Sequence, residues 1–178
     1  MIVEILSRSF SNQPRPPRLT YKALDYDWSA IGGPDIARIE ATGPEAQLWE
    51  LRRWLRAPVT VCDDNGRKVW WGLIREVSID VGGVSAGVSL VDMYNRVRVT
   101  YTTDTDEGST GRKITAWHTD TISAGEYGYK EYEDSMGSLS DEEAESRAAA
   151  LLERTKYPHQ ITRPARGRSA ARATLECA

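Results

Sequence analysis

The sequence predicts an α+β protein that is mainly β: an antiparallel β-barrel or sandwich with a flanking helix, joined to a second, small, partly helical domain. Three observations predict it. Apolar and polar residues alternate in run after run between Ile36 and Tyr101, the period-2 signature of half-buried strands. One stretch inside that region switches to helical spacing, with Leu48, Leu51 and Leu55 on one face. Asn65-Gly66 and Gly82-Gly83 cut the alternating runs into hairpin-sized pieces, so that successive strands pair antiparallel. Composition shifts after Thr102, which divides the chain into a β domain over 1–102, with its helix at about 44–56, and a smaller α+β domain over 103–178. The smaller one carries a helix at about 140–155 and a basic C-terminal tail.

In chain order, Ile2 to Leu6 reads as a first strand, since Val3 and Ile5 alternate with their neighbours. Residues 11–18 hold three prolines, which remove backbone donors and favour an extended connector; a PxxP-type peptide ligand is the sharper reading of the same stretch. Tyr21 to Ser29 is aromatic, acidic and extended, and breaks at Gly32-Gly33-Pro34. Asp35 to Ala41 alternates as a strand. The helix opens at Pro44, where a first helical residue tolerates a missing N–H, with Glu45 complementing the dipole and Thr42 as a possible cap. Trp54 lies beside its leucine stripe, Arg52, Arg53 and Arg56 load its last turn, and Ala57-Pro58 ends it.

Four strands follow. Val59–Cys62 leads through Asp63-Asp-Asn-Gly66 into Lys68–Val81, which is either one long strand or two joined by a bulge at Gly72. Val84–Leu90 and Val97–Tyr101 continue the alternation, giving a meander around one half-buried sheet that the helix covers. Thr102 to Gly111 is a polar excursion, Lys113–His118 one more candidate strand, and Ser123–Glu131 turn-like and then extended. Ser140-Asp-Glu-Glu143 has the spacing of a capping box and opens a helix that stops before Tyr157-Pro158. The tail holds Arg163, Arg166, Arg168 and Arg172, and Thr174 to Ala178 reads as the start of a strand.

Function classes narrow by exclusion. At 40% hydrophobic and 28% charged, the 178 residues are ordinary globular composition, and a net charge of −3 supplies no basic field for nucleic acid or an anionic membrane. No run reaches the roughly 18 apolar residues that span a bilayer. Cys62 and Cys177 are the only cysteines and lack CxxC spacing, which fits a protein made in a reducing cytoplasm. His118 and His159 stand alone at no metal-ligand spacing, and Asp104 to Glu107 only faintly resembles a calcium loop. No serine sits in a GxSxG elbow, no glycine loop precedes a helix, and the pairs Asp25/Asp27 and Glu126/Glu131 are too common a pattern to mark a hydrolase. The expectation is a non-enzymatic protein with no cofactor. Six Trp and eight Tyr against one Phe fit either a core with an aromatic rim or surfaces buried against a partner.

Certain stretches, in their order, resemble a family. Val69-Trp-Trp-Gly-Leu-Ile-Arg75 follows the Asn-Gly turn, and then comes Gly87-Val-Ser-Leu-Val-Asp-Met-Tyr-Asn-Arg-Val-Arg-Val-Thr-Tyr101. Thr121-Ile-Ser-Ala-Gly-Glu-Tyr-Gly-Tyr-Lys-Glu131 precedes the alanine-rich helix Ala144–Leu152 and Lys156-Tyr-Pro158. Across roughly 35–158 the chain resembles the hub proteins of bacteriophage tails, the baseplate hubs and the tail-tip minor tail proteins. The resemblance implies a tail-tube-like β-barrel or sandwich interrupted by a second domain, and a self-associated ring, a trimer, that continues the tail tube at the tail tip of the virion. It implies as further partners the tail tube, the distal tail protein and a spike or fibre, with DNA only as non-specific cargo and no membrane. Trp70, Trp71, Tyr94 and Trp54 are then the expected packing or interface anchors, and Arg163, Arg166 and Arg168 the expected lumen or partner contacts. Hubs of this kind are usually longer, so a compact hub or one completed by another polypeptide is expected. A different class stays open beside it: a monomeric β-domain that binds carbohydrate or peptide through exposed Trp70 or Trp71. A tail-tip cell-wall hydrolase would need a carboxylate or metal set that the sequence does not display.

Overall fold

The computed structural model describes residues 1–8, 17–104, 110–164 and 171–178. It divides into two compact units, Met1–Val91 with Gln160–Ala178, and Asp92–His159. Residue 102, the expected boundary, lies inside the second unit, which begins at Asp92, and the tail expected in the smaller domain belongs from Gln160 onward to the first unit. The first unit begins with β1 (Ile2–Ile5), β2 (Thr20–Ser29) and β3 (Gly33–Thr42). Next come α1 (Glu45–Glu50), running on as a 3-10 turn over Leu51–Trp54, then β4 (Pro58–Cys62), β5 (Lys68–Val81) and β6 (Val84–Ser89). The second unit holds β7 (Arg96–Asp104), β8 (Thr110–Ile114), β9 (His118–Thr119), α2 (Thr121–Tyr127), β10 (Glu131–Ser138) and α3 (Asp141–Thr155). The chain then re-enters the first unit through β11 (His159–Pro164) and ends in β12 (Arg172–Cys177). The protein is α+β and mainly β, as its alternation predicts.

The first unit is one curled antiparallel sheet in the order β1-β4-β5-β12-β3-β2, with β6 beside the second half of β5 and β11 beside β6. The curl makes a half-barrel: the outermost strands β1 and β2 come within 8 Å at Cα, yet share no ladder among the described residues. The strand at Arg172–Cys177 is central in the sheet, between β5 and β3. Leu175 of β12 stands opposite Ile39 of β3 on one side and Val77 of β5 on the other, with Ala173 and Cys177 in matching registers. These residues, with Ala37, Ala41 and Ile79, are buried on one face, as the period of 2 requires, and Ile74 joins them across the register shift opposite Glu176/Cys177. Leu48, Leu51 and Leu55 are buried too, so the leucine stripe is a core face.

Their helix is shorter than its periodicity predicts. Pro44 is its N-cap residue, and no side chain caps it, Thr42 included. It tightens to a 3-10 turn and stops where Arg56 takes φ 64°, a left-handed backbone that a non-glycine residue adopts only under constraint. The constraint is visible: Arg56 N–H donates to the Ile74 carbonyl at 2.6 Å, and Ile74 N–H donates to the Ala57 carbonyl at 3.0 Å. Pairing to β5 thus tightens the last turn and ends the helical run at Trp54, two residues short of Arg56.

β5 is a single strand, and its register is regular at Gly72; the irregularities lie opposite Val61/Cys62 and Glu176/Cys177. Gly72 is needed for a different reason. The fully buried indole of Trp70 lies across it, so a Cβ there would run into Trp70 Cη2. The β4–β5 turn also differs from the two-residue form that Asn-Gly favours. Only Gly66 has positive φ, and Asp63 organises a longer loop by accepting from Asn65 N at 2.9 Å and Arg67 N at 2.8 Å. At the next turn Gly82 and Gly83 both take positive φ, closing β5 onto β6.

Cys62 and Cys177 are both buried and unbridged, and burial pushes the Cys177 thiol up to about 12, so little thiolate forms. Iodoacetamide at neutral pH is expected to leave both thiols unmodified in the folded protein and to alkylate two per chain in denaturant, as read by mass spectrometry. Rapid native labelling of Cys177 would contradict the central placement of β12.

Val97–Tyr101 does not extend the first meander; it is part of β7 in a separate sheet of the second unit, ordered β10-β7-β8 with β9 also on β7. Residues 105–109 of the polar excursion lie outside the described residues. β10 runs parallel to β7, and Val99 and Tyr101 pack on Ala144 and Ala148 of α3 with Met136 and Leu139 beside them. Ser140 and Glu143 form the reciprocal capping box that their spacing predicts. The stretch read as turn-like from Ser123 is instead partly helical: α2 is capped by Asp120, whose carboxylate accepts from Ser123 N at 2.8 Å, and ends at Gly128 with φ 71°.

Fully buried Asn95 ties these pieces together. Its Nδ2 donates to the Gly128 carbonyl at 2.7 Å and to Ser123 Oγ at 3.3 Å, while its Oδ1 accepts from Lys130 N at 2.8 Å. The ends of the unit are clasped as well. Tyr94 N–H donates to the Thr155 carbonyl at 2.9 Å, and Thr155 Oγ1 lies 2.9 Å from the Tyr94 carbonyl.

Candidate functional site

Alternation along β5 sends adjacent tryptophans to opposite faces. Trp70 is fully buried and packs the core, so it offers no surface to a partner, contrary to the reading that exposes it. Its Nε1 finds no hydrogen-bond partner among the described residues. Trp71 is 48% exposed and meets Trp28 of β2 edge-to-face, with centroids 5.3 Å apart. Trp28 is 50% exposed and is held by its indole N–H, which donates to the Val69 carbonyl at 3.0 Å.

The pair forms although β12 and β3 separate β5 from β2 in the sheet. It can form because the sheet curls and because β12 ends opposite Ile74 and Leu73, short of Trp71. Fully exposed Ile31 follows Trp28 in the β2–β3 turn. Two half-exposed indoles are a large apolar area to leave in water, at about 25 cal/mol per Å², and Trp is enriched at the centre of protein interfaces. Sequence reasoning singled out Trp71 but not Trp28; its signal was the exposed aromatic position after Asp25-Tyr-Asp27.

The other expected anchors stand apart. Trp54 is half-buried at the end of the 3-10 turn. Tyr94 belongs to the second unit, where its ring lies 4.7 Å from that of Tyr132. The Arg163 backbone belongs to β11, its side chain lies outside the described residues, and so do Arg166 and Arg168.

One face of the second sheet carries a charged ladder created by parallel register. Glu131 stands opposite Arg96 and Glu133 opposite Arg98. Arg96 Nη1 reaches Glu131 at 2.6 Å and Arg98 Nε reaches Glu133 at 2.8 Å, while Trp117 lies under both guanidiniums, 4.8 and 4.4 Å away. Each charge already has its partner, so the ladder staples β10 to β7 rather than presenting free groups.

The hydroxyl of Thr100, then the Arg98 guanidinium, holds the Glu133 carboxyl below its usual range. Asp120 is held low by the Ser123 amide, Asp141 by Lys113 and the Tyr101 hydroxyl, and Glu143 by Ser140. All four belong to the second unit, whereas among the described residues the first unit has one such carboxyl, Asp64, held low by the N-terminal ammonium. A carboxyl whose folded value is depressed contributes stability above the unfolded range of about pH 4 and loses it as pH falls through the folded value. Acid titration followed by amide NMR is therefore expected to melt the second unit's signals first, below about pH 4. Simultaneous loss in both units would show that these carboxylates do not set its acid limit.

Among the described residues no three His, Cys, Asp or Glu side chains are grouped to hold a metal ion, and no helix is long and apolar enough to cross a membrane. Comparison with protein-family models, curated proteins and solved structures finds no match to this chain.

Proposed function

We propose that the chain is a structural component of a bacteriophage tail, a tail hub or baseplate hub-like minor tail protein that forms a ring joining the tail tube to the tail tip. The reading rests on the order of motifs across residues 35–158, and one structural observation supports it most. A curled antiparallel sheet leaves β1 and β2 without a ladder partner on their outer edges among the described residues, and displays the Trp28–Trp71 pair beside Ile31. Free strand edges and half-exposed indoles are what a subunit buries when it joins a symmetric ring. On this reading the protein is non-enzymatic and is made in the bacterial host cytoplasm. Its partners are further copies of itself, most simply as a trimer, the tail tube, the distal tail protein and a spike or fibre. DNA passes only as cargo, and Arg163, Arg166 and Arg168 are the residues this reading assigns to a lumen or partner.

The test is the solution mass of the purified chain by light scattering across micromolar concentrations. A trimer or larger ring is expected, and Trp71→Ala or Trp28→Ala is expected to reduce it to a folded monomer, its far-UV circular dichroism unchanged, because both rings are half-exposed. A monomer at every concentration, with and without tail-tube protein, would overturn the ring. Cleavage of peptidoglycan by the purified chain would overturn the non-enzymatic reading.

The same aromatic pair supports a second reading, a monomeric β-domain that binds carbohydrate or peptide through Trp71. Saturable quenching of tryptophan fluorescence in a stable monomer, lost in Trp71→Ala, would favour it over the ring.

A further inference from the structure

We propose that the second unit holds a saccharide-binding site in the groove between the start of β7, β10 and the last turn of α3. The groove has a volume of about 560 Å³ and is lined by Asp92, Tyr94, Tyr132, Leu151 and Arg154, with His159 at its end. That volume falls in the range of small-ligand clefts, about 300–1,000 Å³. Its floor is apolar: the Tyr94 and Tyr132 rings lean on each other at 33°, Leu151 is buried, and Tyr132 remains 36% exposed.

The polar groups on its rim are uncommitted. Among the described residues neither the Arg154 guanidinium nor the Asp92 carboxylate has an ion pair or hydrogen bond, although they carry opposite charge and line one groove. The two phenol hydroxyls are likewise unbonded. His159 is oriented by the contact of its Nε2 with the Asp92 carbonyl at 3.0 Å, which leaves Nδ1 for a ligand. Thr155, by contrast, is already spent on backbone carbonyls.

This set selects a ligand class. A pyranose packs its C–H face on an aromatic ring, and its neighbouring hydroxyls both donate and accept. Arg154 donates, Asp92 accepts, and the tyrosine hydroxyls do either. A polyanion such as an acidic peptide would be repelled by Asp92, and a purely apolar ligand would strip water from both charges without replacing its hydrogen bonds. The site uses none of the residues of the Trp28–Trp71 surface and stands or falls independently of the tail reading.

The test is an amide NMR titration of the full chain with three neutral disaccharides, maltose, lactose and chitobiose, at millimolar concentration. At least one is expected to give saturable shifts at Asp92, Tyr132 and Arg154, leaving Trp28 and Trp71 unmoved. Tyr132→Ala and Arg154→Ala are each expected to weaken that binding by about tenfold, the loss of one good contact. Both side chains are exposed, so an unchanged melting temperature verifies that the variants fold. The proposal is overturned if none of the three sugars gives saturable shifts, if the shifts fall at Trp28 and Trp71, or if both variants bind as the parent does. Binding of a poly-glutamate peptide in this groove, with the sugars silent, would overturn the ligand class.

Discussion

Replacing Leu175 with alanine is expected to destabilise the first unit by about 2–5 kcal/mol, the range measured for deleting a buried leucine side chain. The upper part of that range applies here for two reasons. Leu175 is fully buried, and it stands between Ile39 and Val77, so no neighbour can collapse into the space without breaking a ladder on one side. Moreover β12 joins two halves of the sheet that meet nowhere else along the strand order, β1-β4-β5 and β3-β2. Chemical denaturation followed by tryptophan fluorescence measures the effect, since five of the six tryptophans belong to this unit. A loss under about 1 kcal/mol would mean that β12 is peripheral to the core.

Asn95→Ala is expected to cost the second unit about 2 kcal/mol or more, the lower end of about 1–3 for each of two groups left unpartnered. Truncation leaves the part-buried Lys130 N–H and Gly128 carbonyl without their side-chain partner, at about 1–3 kcal/mol for each that water does not re-satisfy. Asn95→Asp is expected to be at least as damaging. A carboxylate still accepts from Lys130, but it turns an acceptor toward the Gly128 carbonyl, where the amide donated. Amide exchange resolves the outcome by unit: protection of α2 and the start of β10 should fall in both variants, while that of β12 and β3 should hold. Unchanged protection around Gly128 and Lys130 would show that water satisfies those groups and that Asn95 is not the fastener.

Much of the local architecture was legible in the sequence because it depends on neighbours a few residues away. Period-2 alternation identified β3, β5 and β6, the leucine stripe named its own buried face, and Ser140 with Glu143 announced the start of α3. The α2 helix was missed because Gly125 and Gly128 obscured it, although Asp120 as a cap and Gly128 as a stop were present as signals.

The candidate surfaces were less legible. Trp71 can be singled out from composition, but its contact with Trp28 exists only because a curled sheet carries β2 to the open end of β5. Trp70 and Trp71 are neighbours of one type in sequence, and only the direction of the pleat makes one core and the other surface.

What the sequence by itself determined, then, is which segments are strands and helices and which of their faces are apolar, since periodicity and capping are short-range physics. Tertiary structure alone decided which strands pair. Alternation looks the same in β6 and in β7, yet one lies beside β5 and the other founds a second sheet. The C-terminal strand carries no mark of centrality either. It is central because two open edges, β3 and β5, each had backbone donors and acceptors to satisfy, and β12 satisfies both at once.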